Sequence, residues 1–171
     1  LVAGSFVASA KLSGVIDPIS LTLFRFFVAS LFLAPIIFLN KKYREKILSA
    51  MPKAMIISLF FSLYFIGLFK ALETTTALNT GTLFTLVPLI TAILCIFLLK
   101  QKMSFSQLII YLIGIVGTCI VVFKADIDLL LNFSLNQGDL IFLFATISMS
   151  LYSISTKYFH KKDDELPVLV F

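Results

Sequence analysis

The chain reads as an all-α integral membrane protein, a polytopic helical bundle, and three observations carry that reading. Hydrophobic residues make up 60% and charged residues 13% of 171 positions, against about 45–50% and 25% in soluble domains. The apolar residues form long uncharged runs, separated by short segments where the lysines and arginines gather. Within the runs the usual polarity of an amphipathic helix is inverted. Over residues 77–99, Gly81, Thr85, Pro88, Ala92 and Cys95 share one helical face and Leu83, Leu86, Ile90, Leu94 and Phe97 the opposite one. Small groups on one side and bulky ones on the other fit a helix whose bulky face meets lipid.

About six spans and part of a seventh are expected. Residues 1–12 form the first, too short to cross alone at about 1.5 Å per residue, with Ser5 and Ser9 on a small-residue face and Lys11 at its end. Asp17-Pro18 reads as an N-cap and first helical residue, opening a second span over 19–39. Spans three to five fall at 54–72, 77–99 and 108–123, the last carrying Gly114 and Thr118 at the spacing of close helix contacts. A linker over 124–137 includes an amphipathic run, 129–135, suited to the interface. Span six covers 139–159, with Ala145, Ser148, Tyr152, Ser155 and Thr156 on one arc and Leu143, Ile147, Leu151 and Ile154 on the other. A seventh begins at Leu166. The apolar residues at both ends, LVAGSFVASA and LPVLVF, make this the expected fragment of a longer protein.

Orientation follows from counting basic residues in short loops. Ten lie beside the loops after spans two, four and six (Lys41, Lys42, Arg44, Lys46, Lys53, Lys100, Lys102, Lys157, Lys161, Lys162), and three, Lys11, Lys70 and Lys124, beside the others. The positive-inside rule places the first set, and the N-terminal side, in the cytoplasm. In a bacterium the membrane is the inner one. The net charge of +5 is explained by this placement, so no nucleic acid is expected, only membrane lipids and a small polar solute.

Ser155-Thr-Lys157 echoes Ser9-Ala-Lys11 five spans later, so a duplicated unit would insert in opposite orientations. The residues then resemble the drug/metabolite transporter superfamily, specifically EamA-type permeases. The matching features are Gly4-Ser5-Phe6-Val7-Ala8 with Lys11, and Leu23-Phe24-Arg25-Phe26. With them go Lys70-Ala-Leu-Glu-Thr-Thr-Thr-Ala-Leu-Asn79 leading to Leu86-Val-Pro88-Leu-Ile-Thr-Ala92, then Gly114-Ile-Val-Gly117 and Gly138-Asp139. The resemblance implies inverted repeats of about five helices each, with 1–123 the first repeat, 124–137 an extracytoplasmic linker and 138–171 the start of the second. It also implies transport of small polar metabolites, often amino acids outward, by alternating access. Relatives usually carry Gly-Glu after span four, where this chain has Lys100-Gln101.

The candidate substrate pathway comprises Ser5, Ser9, Lys11, Arg25, Tyr64, Asn79, Thr82, Thr85, Pro88, Ser148 and Tyr152. Arg25, about 9 Å into its span, is either a cavity cation for an anionic substrate group or a structural arginine, snorkelling or paired with Asp17 or Glu73. Pro88 cannot donate to the carbonyl of Phe84, which leaves that oxygen free for a solute or makes a hinge, or else it only shapes packing. Asn79, Thr82, Thr85, Ser148, Tyr152 and Ser9 either meet a solute or hold helices together. Tyr64 rests on the resemblance.

No enzyme, metal or cofactor is expected: no metal-ligand spacing or phosphate loop occurs, and no Asp or Glu lies deep in a span. Cys95 and Cys119 read as packing residues and His160 as solvated. Two other readings remain: a non-transporting membrane scaffold, and a half-size unit acting as a homodimer.

Overall fold

A computed structural model describes residues 2–100, 104–124, 126, 135–159 and 166–171, with the side chains of 2–5, 122 and 166 excepted. The chain runs α1 (Val2–Leu12), α2 (Pro18–Leu39), α3 (Lys41–Ala71), α4 (Ala77–Leu83), a 3-10 turn (Phe84–Leu86), α5 (Val87–Leu99), α6 (Phe105–Val122), α7 (Gln137–Phe159) and α8 (Leu166–Val170). Among the described residues there is no strand beyond one isolated bridge, Ser13 to Ile16. Four segments are long and apolar enough to cross a membrane: α2, α3, the composite α4–α5 and α7. The amphipathic run at 129–135 lies almost wholly outside the described residues, as do Gln101, Lys102, His160, Lys161 and Lys162.

Local chemistry sets the helix ends. The Asp17 carboxylate accepts the Ile19 and Ser20 amides at 3.0 and 3.1 Å, with Pro18 at the first helical position, as expected. Asn40 alone separates α2 from α3 and caps the latter through the Lys42 amide. The segment read as a loop, 40–53, is therefore helix. Its polar residues are good helix formers, and Pro52 sits inside the helix with its neighbours carrying the turn. At 31 residues α3 is about 46 Å long, more than a hydrocarbon core of about 30 Å, so its basic first turns project beyond it.

The core forms where α3 packs along α7. A methyl group built on Gly67 would lie 2.7 Å from Cβ of Ala145, and one on Gly138 would lie 2.5 Å from the Ala71 carbonyl. Both contacts need glycine, and both let backbones approach closely. Phe6, Tyr64, Leu68, Leu83, Phe123 and Phe142 fill the space beside this seam. Cys119 packs against the same cluster.

Asp139 locks the end of the seam. Its carboxylate, 2% exposed, accepts the Thr75 hydroxyl, the Asn79 amide at 3.3 and 3.4 Å and the Asn136 backbone N–H at 3.4 Å. The Asn136 side chain takes the Asp139 N–H at 2.7 Å in return, the reciprocal pairing of a capping box. One carboxylate thus fastens the start of α7 to the α3–α4 corner.

The expected sorting of the fourth span is corrected. Leu83 is buried at 3% and Leu86 packs on the core, while Thr85 and Pro88 are exposed. The inward stripe is Thr80, Leu83 and Val87. Three residues of 3-10 geometry advance the phase by about 60° relative to a continuous α-helix, so one wheel cannot describe the whole span. The seventh helix departs likewise: Ile154, assigned to the outer arc, is buried, and Phe142, Thr146 and Ser150 carry the contact with Ala145. Gly114 has nothing within 4 Å of a built Cβ, whereas Thr118 of the same pair is buried.

Lys100 ends α5 with φ 51° and ψ 33°, its N–H bonded to the Cys95 carbonyl. This left-handed position favours glycine, which gives the expected Gly-to-Lys departure a physical meaning.

Two stability outcomes follow for the full-length protein in detergent. Asp139→Ala leaves the Thr75 and Asn79 donors without their acceptor and should cost about 2 kcal/mol, read as a lower thermal midpoint, with Asp139→Asn losing less. Lys100→Gly should stabilise by about 1 kcal/mol; an unchanged or lower midpoint would count against strain at this cap.

Candidate functional site

Two recesses flank the aromatic interior, and four of the expected pathway residues, Arg25, Thr82, Thr85 and Tyr152, line them or the groove beside them. The first lies between α1 and the α4–3-10 segment. It holds about 450 Å³ and is lined by Phe6, Val7, Gly81, Thr82, Phe84 and Thr85, among others. The second lies between α2, α3 and α8, holds about 440 Å³ and contains Arg25. A neighbouring groove of about 330 Å³ reaches Tyr152 and Thr156 and shares Ser58 and Phe61 with it, so Tyr152 lies beside the Arg25 recess across Phe61.

The hydroxyls of the first recess are already engaged locally. Thr82 donates to the Leu78 carbonyl at 2.8 Å and Thr85 to the Thr82 carbonyl at 2.7 Å. Thr85 and Thr118 also meet, oxygen to oxygen, at 2.9 Å, which joins this segment to α6. Thr85 thus both contacts α6 and lines the recess.

The 3-10 turn beside this recess is the local consequence of Pro88. Proline has no N–H to give to the carbonyl four residues back. The chain tightens instead, and the Val87 N–H bonds the Phe84 carbonyl. The expectation that this oxygen is left free is corrected: the tighter turn supplies the donor that proline lacks. Pro88 itself is exposed, while the Val87 carbonyl accepts the Ser150 hydroxyl of α7 at 3.3 Å.

Arg25 is half-buried, with its guanidinium 4.6 Å from the centroid of Phe65 and 5.5 Å from that of Phe69. Neither expected carboxylate pairs with it. Glu73 is held by Lys70 at 2.7 Å, and Asp17 caps α2. Cation–π contact of this kind contributes about 0.5–2 kcal/mol, and the guanidinium keeps hydrogen-bonding capacity toward the recess. Phe26 stacks on Phe61 with centroids 5.6 Å apart, and Phe61 stacks on Tyr152 at 4.6 Å, so aromatic faces form the wall.

Tyr64 stands between the recesses. It is 5% exposed and its ring contacts Phe65 at 5.1 Å on one side and Phe84 at 6.0 Å on the other. It is therefore a wall residue and not a lining one.

The remaining residues do not converge. Ser9 is buried, Lys11 is exposed at the end of α1, and Ser148 is half-buried. Asn79 is drawn away to Asp139. The Ser5 side chain lies outside the described residues. Sequence reasoning passed over Asp139, Thr146 and Ser150. The spacing Asn136-x-x-Asp139 is a capping signal that marks the first of them; Ser150 and Thr146 have no signal apart from the phase of their helix. Among the described residues no three His, Cys, Asp or Glu side chains come together as a metal site would require.

Comparison with known proteins places this geometry. Residues 1–123 match the model of the EamA-like transporter family. YyaM, an uncharacterized transporter of Bacillus subtilis (strain 168), is 28% identical over 112 residues, 66% of this chain and 35% of that protein. The matched stretch thus spans about a third of the curated relative. No solved structure matches. With a family match over most of its length and apolar helices throughout, the chain is a multi-pass membrane protein that belongs to the EamA-like transporter family.

Proposed function

We propose that the whole protein carries small polar metabolites, amino-acid-like solutes among them, across the membrane by alternating access, with efflux the favoured direction. The observation that carries this is the interrupted span. Residues 77–99 form one apolar crossing segment, yet it breaks into α4, a 3-10 turn and α5 beside a recess bearing Thr82 and Thr85. Irregular backbone within a membrane is tolerated where it borders protein or a water-filled cavity, and broken helices recur at transporter sites. The 3-10 hydrogen bonds are poorer than α-helical ones, so this is where the segment bends most readily.

The arrangement of 1–123 as one repeat and 138–171 as the opening of an inverted second supplies the symmetry that alternating access uses. The basic clusters beside the loops after spans two, four and six support a cytoplasmic location for those loops, in the inner membrane if the source is bacterial.

The alternative is a scaffold whose polar faces bind only other helices, favoured by the Thr85–Thr118 contact. Thiol accessibility separates the two. In full-length protein with Cys95 and Cys119 replaced by serine, Thr82→Cys and Thr85→Cys should react with a membrane-impermeant thiol reagent and Ser9→Cys should be protected. Protection at all three positions favours the scaffold. In vesicles, Pro88→Ala restores the missing donor and should lower flux several-fold without lowering the thermal midpoint. Absence of flux for every solute in an amino-acid and metabolite panel, with folded protein, would overturn the proposal.

A further inference from the structure

The Arg25 recess has a chemistry of its own. It contains one cation, no carboxylate among its lining residues, and aromatic walls from Phe26, Phe61 and Phe65. The guanidinium lies about 10 Å along α2 from its first residue, inside an apolar segment, where a charge without a counter-ion is costly. It is held from behind by Phe65 and Phe69, which fixes its position without neutralising it. Among the described residues no carboxylate pairs with it.

We infer that this recess binds an organic monocarboxylate with an apolar, preferably aromatic, body. The carboxylate accepts charge-assisted hydrogen bonds from the Arg25 guanidinium, a planar fork that fits a carboxylate better than an ammonium point charge would. The body lies against Phe26 and Phe61. The volume of about 440 Å³ admits a ligand of that size. Among the described residues an ammonium group has no anion to meet there, so the site discriminates against zwitterions and cations through desolvation. Ser58 and Ala29 leave the recess open on the α3 and α2 sides; the Ser58 hydroxyl is committed to the Met55 carbonyl at 3.1 Å.

The site takes a solute class other than the amino-acid-like zwitterions named in the transport reading, and it rests on that reading only for the direction of use, since binding is measurable without flux. The experiment is equilibrium binding of radiolabelled phenylacetate to purified full-length protein, with phenylalanine and phenethylamine as competitors, alongside uptake of the same label into vesicles. Saturable phenylacetate binding is expected, displaced at least tenfold less effectively by phenylalanine and not at all by phenethylamine. Arg25→Gln should weaken it tenfold or more and Arg25→Lys less. Ala29→Phe, which fills the recess from an exposed position on α2 one turn beyond Arg25, should abolish it in a protein that still folds. Binding unchanged in both Arg25→Gln and Ala29→Phe would overturn the inference. So would a recess occupied by co-purified anionic phospholipid that phenylacetate fails to displace. Binding with no flux of phenylacetate or of any solute in the panel would leave the inference standing and remove the transport reading. Flux of other solutes without phenylacetate binding would do the reverse.

Discussion

The close approach of α3 and α7 is the constraint on which the rest of the structure depends. Lipid tails are as apolar as leucine, so helices inside a membrane gain little by hiding apolar surface from one another. What holds them is dense packing and hydrogen bonding. Here Gly67 lies against Ala145 and Gly138 lies under the Ala71 carbonyl, bringing two backbones together where any larger side chain would separate them. The carboxylate of Asp139 then fixes the register at one end, through Thr75, Asn79 and Asn136. Once α3 and α7 are joined, α5 is placed by the Ser150–Val87 bond and α6 by the Thr85–Thr118 contact.

The same seam explains where the open space lies. Helices packed through small residues bring aromatic side chains into the remaining volume, and ten of the ring–ring contacts join Phe6, Phe26, Phe61, Phe65, Phe69, Phe84, Phe142, Tyr64 and Tyr152 into one ridge. Planar rings in edge and stacked arrangements fix orientation as well as area. The ridge separates the threonine-bearing recess from the one that contains Arg25, with Tyr64 as the shared wall. A guanidinium whose back is turned to two phenylalanine faces keeps its charge available on the other side.

Much of the fold was legible in the chain. The apolar runs locate the helices, and the Asp17-Pro18 signal marks a helix start, because capping is decided within one turn. The site was legible in part. Arg25 announces itself as a charge in an apolar run, and Pro88 as a missing donor. Their consequences were not legible. Whether Arg25 meets Glu73 or Phe65, and which donor replaces that of Pro88, depends on neighbours brought together by the fold. In residues 41–53 the charges and Pro52 resemble a boundary, yet the helical backbone continues through them.

The sequence by itself determined the class, the apolar spans and the family, because hydropathy, caps and motif order are properties of consecutive residues. The tertiary structure alone decided which face of each helix points inward. Leu83 and Ile154 are buried and Thr85 is exposed, against a simple wheel, for a physical reason. In a membrane both faces of a helix are apolar, so small differences in shape and a phase shift of one 3-10 turn choose the contact.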